Sequence, residues 1–212
     1  MNEFSAAAIA PGILFILSGP SGVGKDTVLR HALPRLGRIR TSVSVTTRPP
    51  REQEREGSDY FFVSTDEFVR MLERGDLLEH AAVHGYLYGT PRAWVLDQLR
   101  AGNDVLLEID VQGAIQVKAA VPEAILIFLA PPSWKELARR LRTRQTENEA
   151  DISRRLENAR QELARVEHYE YLIINDQVTR AAAMLQAVVT AERLHSFRQD
   201  ISGLLAEAMN DD

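Results

Sequence analysis

Apolar residues occur along the chain in two textures. Ile13-Leu14-Phe15-Ile16-Leu17 is an unbroken run of branched and aromatic residues. Its length and lack of alternation predict a strand buried on both faces, as in a parallel sheet. The same texture returns at 104–109, 124–129 and 171–174. Helical spacing fills the intervals. Residues 28–33 read as a helix that Pro34 ends. Thr90 and Pro91 read as an N-cap and first turn for a helix carrying Val95, Leu96 and Leu99, which Gly102 stops. Residues 113–121 read as a helix stopped by Pro122, and the chain from Thr179 is helical with a disordered end. Four buried strands alternating with helices predict an α/β core: a parallel sheet with helices on both faces.

The second texture fills 44–102. Thr41 to Thr47 alternates small polar and branched residues, as a half-buried strand does, and Arg48-Pro49-Pro50-Arg51 breaks it. A polar loop follows to Asp59, then a short strand at 60–63. Ser64 and Glu67 predict a capping box for a helix with Phe68, Met71 and Leu72 on one face. Residues 77–83 predict another strand, and His84-Gly85-Tyr86 a turn. Short strands and frequent turns mark an inserted subdomain. A second insertion, 133–167, opens with a capping box at Ser133 and Glu136. It carries Arg139, Arg140, Arg142, Arg144, Arg154, Arg155 and Arg160. The expected division is one domain, with core segments 12–43, 103–132 and 168–208, a small subdomain at 44–102, and a helical lid at 133–167.

Chemistry enters where the first strand ends. Gly19-Pro20-Ser21-Gly22-Val23-Gly24-Lys25-Asp26-Thr27 lies between the strand and the first helix. Strand, glycine-rich turn and helix are the context a phosphate-binding loop requires: successive N–H groups and the helix start face one anion. Lys25 would reach the β- and γ-phosphates of a nucleotide. The template places Ser or Thr after the lysine to hold Mg²⁺. Here Asp26 stands there and Thr27 follows. Glu108 and Asp110, two residues apart at the end of the second core strand, share a face where α/β sheets bind ligands, and suit holding Mg²⁺ through water. Arg48 and Arg51, stiffened by adjacent prolines, suit bidentate phosphate recognition, with Tyr60 donating beside them. Glu79 is a carboxylate in an apolar strand and needs a partner. The N1–H and 2-amino donors of guanine would supply one, with Ser44 and Thr90 answering its O6. Arginines carried by a lid would neutralise a transferring phosphoryl group only on closure.

Composition narrows the setting. With 212 residues and no cysteine, the chain buries a core without staples and offers no thiolate ligand or nucleophile, which fits a reducing cytoplasm. A formal net charge of -5 argues against nucleic acid as the partner. Residues 1–11 lack a basic start and read as a frayed tail rather than a signal peptide. No apolar run reaches the roughly 18 residues of a membrane span.

Taken together these residues resemble a bacterial-type guanylate kinase, from Gly12 to about Arg193. The resemblance rests on the loop 19–25, on Ser44-Val45-Thr46-Thr47-Arg48-Pro49-Pro50-Arg51, and on Gly57-Ser58-Asp59-Tyr60-Phe61-Phe62-Val63. Tyr88-Gly89-Thr90, Glu108-Ile109-Asp110-Val111-Gln112-Gly113 and Ile174-Asn175-Asp176 complete it. It implies the P-loop nucleoside-monophosphate-kinase fold, a core with an NMP-binding subdomain and a lid. It implies ATP and GMP giving ADP and GDP with Mg²⁺, in the cytoplasm, by a monomer or a homodimer. Arg48, Arg51, Tyr60 and Tyr88 would hold the GMP phosphate. Ser44, Glu79, Thr90 and Asp110 would read the guanine. Arg140, Arg144 and Arg155 would bridge the phosphates, and Asn175 would sit near the adenine. Asp26, Thr27 and Glu108 are the candidates toward Mg²⁺. Asp26, and Gln145 after the lid arginine, depart from the family pattern. Two alternatives stay open on these residues: a ribose 1,5-bisphosphate phosphokinase, whose P-loop lysine can also precede Asp, and a non-catalytic guanylate-kinase-like binding module.

Overall fold

The computed structural model describes residues 12–83, 85–143, 149–199 and 208–209. Arg144, Gln145 and the expected disordered end lie outside the described residues, apart from 208–209.

The core sheet has five parallel strands in the order β2-β7-β1-β8-β9. They are β1 (Leu14–Ser18), β2 (Ile39–Thr41), β7 (Asp104–Glu108), β8 (Ile125–Ala130) and β9 (Tyr171–Ile174). Phe15, Ile16 and Leu17 of the central β1 are fully buried. Burial of such side chains contributes about 1.5–3 kcal/mol each, which explains the unbroken apolar run. One face packs on α1 (Lys25–Ala32) and α7 (Val178–Arg193), through Phe15, Val28, Leu29, Leu185 and Val189. The other packs on α3 (Arg92–Arg100) and α4 (Val111–Ala120), through Leu14, Ile16, Val95, Leu99 and Val117. Buried Asp104 staples three segments: it accepts from the Ile13 N–H at 2.9 Å and from Arg193 Nε at 2.6 Å.

The smaller sheet has the order β4-β3-β6-β5, built from β3 (Ser44–Thr46), β4 (Tyr60–Phe62), β5 (Leu77–Val83) and β6 (Tyr86–Pro91). The helix α2 (Thr65–Arg74) packs on it through Phe68, against Val45 and Leu77. In the third region α5 (Trp134–Arg142) packs on α6 (Glu149–Leu163) through Leu137, Leu141, Leu156 and Ala159.

Four expectations need correction. Residues 41–47 are not one strand: β2 ends at Thr41 in the core sheet and β3 starts at Ser44 in the small one. The core strand 171–174 is an edge strand, with Leu172 and Ile174 exposed, because only β8 pairs with it. Thr90 is a strand residue, and α3 starts after Pro91 without a side-chain cap. The capping boxes form by half: Ser64 and Ser133 accept from the N–H groups of Glu67 and Glu136, but both glutamates turn to arginines. A full ionic partner at the next turns competes successfully with a neutral backbone donor.

Candidate functional site

Parallel register brings the chemistry to one edge. Leu17 pairs with Glu108, so β1 and β7 finish side by side, and the loops after them meet beyond the sheet. Backbone geometry shapes the loop at 19–24. Gly19 adopts φ 144°, and a Cβ there would collide with the Leu129 carbonyl. Gly24 adopts φ 97°, with a Cβ position 2.9 Å from Asn175 Nδ2. Only glycine fits either place. The crest is braced from behind: Asn175 Nδ2 donates to Val23 O at 2.8 Å, and Arg140 Nη1 to the same oxygen at 3.2 Å. Arg140 Nη2 donates to Asn175 O at 3.1 Å. Lys25 Nζ donates to Gly19 O at 2.8 Å, across the mouth of the loop.

A cleft of about 900 Å³ runs from this loop to the small sheet. Gly19, Ser21, Lys25, Glu108 and Asp110 line it on the core side, Ser44, Tyr60, Glu79 and Tyr88 on the small sheet, and Arg155 on α6. Sequence reasoning named all ten. Arg155 is buried and donates to Ser21 Oγ at 2.6 Å. Glu79 is 5% exposed, and Thr90 Oγ1 donates to its Oε1 at 2.6 Å. Burial pushes the Glu79 carboxyl up to about 7, against the pull of Thr90. Glu108 opens onto the cleft. Desolvation by the cleft walls pushes its carboxyl up, and Lys25 opposes the shift. Asp110 has a second task, because its Oδ1 caps α4 by accepting from the Gly113 N–H at 2.7 Å.

Other predicted residues sit beside the cleft. Arg48 donates to Glu54 Oε1 and to Pro49 O, both at 2.8 Å, and its guanidinium lies 5.4 Å from the Tyr60 ring centre. Tyr60 and Tyr88 meet edge to face at 6.0 Å. Arg51 is exposed, and its N–H donates to Glu54 Oε2 at 2.8 Å. Asp26 points outward. Its side chain is 71% exposed and pairs with Arg30 one turn on, at 3.0 Å. Thr27 follows on the first turn of α1. Asn175 is buried under the loop crest. Among the described residues no three His, Asp or Glu side chains cluster as a metal centre. No described helix is long and apolar enough to cross a membrane.

Sequence reasoning did not single out Arg154, Asn158 and Glu162 on α6, or Arg165 just past its end, which line the cleft with Arg155. Their spacing of three and four was a legible signal. It separates them from Arg160, which stacks on Trp134 at 5.1 Å. Glu162 is half-buried, with its carboxyl pushed up by burial and drawn down by Lys25.

Known proteins match this chain closely. A family described as guanylate kinase matches residues 12–192. Guanylate kinase of Thermotoga maritima is 45% identical over 182 residues, covering 86% of this chain and 88% of that protein. That of Dechloromonas aromatica is 49% identical over 183 residues, covering 86% and 91%. The crystal structure of guanylate kinase from Anaplasma phagocytophilum superposes with a TM-score of 0.74 at 36% identity, covering 92% of this chain and 94% of that one.

Proposed function

The chain belongs to the guanylate kinase family, with the P-loop nucleoside-monophosphate-kinase fold, and from that premise we infer how its cleft works. It is an ATP:GMP phosphotransferase. The relatives it resembles over most of its length do not favour a ribose 1,5-bisphosphate phosphokinase or a binding module.

The ATP phosphates lie in the loop 19–27, where Lys25 exchanges the Gly19 carbonyl for phosphate oxygens. GMP lies opposite, its phosphate held by Arg48, Arg51, Tyr60 and Tyr88, its base read by Ser44, Glu79, Thr90 and Asp110. The single observation that carries this arrangement is one continuous cleft lined by Lys25 on the core side and by Glu79 on the small sheet. A GMP phosphate oxygen attacks the ATP γ-phosphorus in line, and ADP leaves. A phosphate dianion is already a nucleophile, so the protein supplies position and charge rather than a general base. Arg155, bonded to Ser21 of the loop, is the lid-side arginine assigned to this reaction, and Arg144 is expected to join it. Arg140 and Asn175 act one step back, bracing the Val23 carbonyl so that the loop's N–H groups stay turned to phosphate.

Mg²⁺ suits the donors present as an ion carried with ATP. Such an ion needs only one or two protein oxygens beside phosphate and water, and Thr27 and Glu108 would hold it. When bound it neutralises charge between the β- and γ-phosphates. Asp26, paired with Arg30, is left out of that set. A cysteine-free chain working on purine nucleotides fits the cytoplasm.

A coupled ADP-release assay with ATP, Mg²⁺ and each nucleoside monophosphate tests the substrate. GMP should be preferred by orders of magnitude. Equal or better turnover of AMP would overturn the assignment.

A further inference from the structure

The small sheet meets the core chiefly where β5 lies along α4, and three residues of α4 share the face that meets it. Asp110 at its N-cap, Gly113 and Gln116 are spaced by three. Gln116 makes a reciprocal pair with the backbone of His80: the His80 N–H donates to Oε1 at 3.1 Å, and Nε2 donates to His80 O at 2.9 Å. β5 is the edge strand of its sheet, so this one amide side chain does for His80 what a further strand would do. One turn nearer the cleft, Gly113 leaves room for the neighbouring residue. A Cβ on it would stand 2.6 Å from Glu79 Oε2 and 3.4 Å from Asp110 Oδ1. The Gly113 N–H meanwhile holds Asp110.

We propose that Gln116 and Gly113 are positioning residues for guanine selection: the Gln116 amide sets the height of β5 on α4, and Gly113 leaves the space in which Glu79 stands beside Asp110. The proposal rests on the reading of Glu79 as the acceptor of the guanine donors. His80 is adjacent to Glu79 in the strand, so a slip of β5 at residue 80 moves the carboxylate directly. A carboxylate that pairs with N1–H and the 2-amino group together tolerates little displacement, because both hydrogen bonds lengthen at once. Neither Gln116 nor Gly113 touches the nucleotide. Their signature is a change in base selection with ATP handling intact.

Steady-state kinetics with GMP or IMP, which lacks the 2-amino group, varied at saturating ATP, and with ATP varied at saturating GMP, test this on Gln116→Leu, Gln116→Glu, Gly113→Ala and Glu79→Gln. Gln116→Leu and Gly113→Ala should each raise KM for GMP about tenfold and lower the GMP over IMP preference, with KM for ATP within about twofold. Gln116→Glu should fall between wild type and Gln116→Leu, because a carboxylate accepts from His80 but cannot donate to it. Hydrogen exchange at the His80 amide should speed up in Gln116→Leu. Parallel rises in KM for ATP and GMP, or an unchanged GMP over IMP preference, overturn the proposal. If Glu79→Gln collapses the preference and Gln116→Leu does not, only the positioning role fails. If Glu79→Gln leaves the preference unchanged, the guanine reading itself fails and takes the positioning role with it. Should Gly113→Ala not fold, the Gln116 pair and the exchange rate still decide.

Discussion

Replacing Glu79 by Gln should stabilise the unliganded protein, and increasingly so as pH rises. Glu79 is 5% exposed, and burial holds its carboxyl at about 7. In the unfolded chain it titrates near the ordinary value of 4.5. Between these limits the native state keeps a proton that the unfolded state has lost. Stability therefore falls as pH rises through that window, and below it the residue costs nothing. A gap of that size corresponds to about 3 kcal/mol, fully expressed above pH 7. Gln has the same shape and keeps an oxygen for the Thr90 hydroxyl, but carries no charge. Urea unfolding from pH 4.5 to 8.5 should show the two proteins nearly equal at the acid end. Glu79→Gln should be more stable by up to about 3 kcal/mol at pH 8, with equal m-values. A difference that is flat with pH, or that grows toward acid, would refute the reasoning. GMP gives the converse test. A base that donates to the ionised carboxylate lowers its pKa, so GMP affinity should rise toward pH 7 and level off above it. Glu79→Gln should flatten that rise.

Three further predictions concern the loop and the core. Lys25→Ala should lower kcat by about 10²–10³ with unfolding unchanged, since it removes a donor aimed at transferring charge; kinetics and a urea curve on one preparation check it. Asp26→Ser should leave KM for ATP within about threefold and stability within about 1 kcal/mol, because an exposed ion pair with Arg30 contributes little; a tenfold loss would return Asp26 to the phosphate site. Asp104→Ala should destabilise by about 3 kcal/mol, because it takes the ionic partner from the partly buried Arg193 guanidinium and the acceptor from the buried Ile13 N–H; a thermal melt that moves by less than about 2 °C would contradict it.

Much of the fold was legible because burial leaves a mark on composition. β1 and β8 are covered on both faces, and their runs contain no polar residue but Ser18 at the end of β1. β2 was missed as a core strand because it is three residues long with two exposed, so it carries no apolar run. β6 was read as a turn and a helix cap. Its Tyr86-Leu87-Tyr88-Gly89-Thr90-Pro91 contains the Gly and Pro that end most strands, and pairing on both sides overrides them. The site was legible where residue type constrains chemistry, as at Lys25, Glu79 and Glu108. On α6 the spacing marked one face, but residue type alone did not distinguish Arg154 from Arg160 until packing sent Arg160 to Trp134 and Arg154 to the cleft.

By itself the sequence determined the phosphate loop, because its glycines, Lys25 and the flanking strand and helix all lie within one short stretch of chain. It also determined the alternation of buried strands and helices, since each depends on local spacing. Only the tertiary structure decided what lies 20 to 150 residues away. Val23 O takes its donors from Arg140 and Asn175, Arg155 reaches Ser21, and Gln116 holds the His80 backbone. The physical reason is that hydrogen bonds and charge pairs are short-ranged in space but unrestricted along the chain. Residue type states what a side chain can do, and packing alone chooses which partner is within about 3 Å.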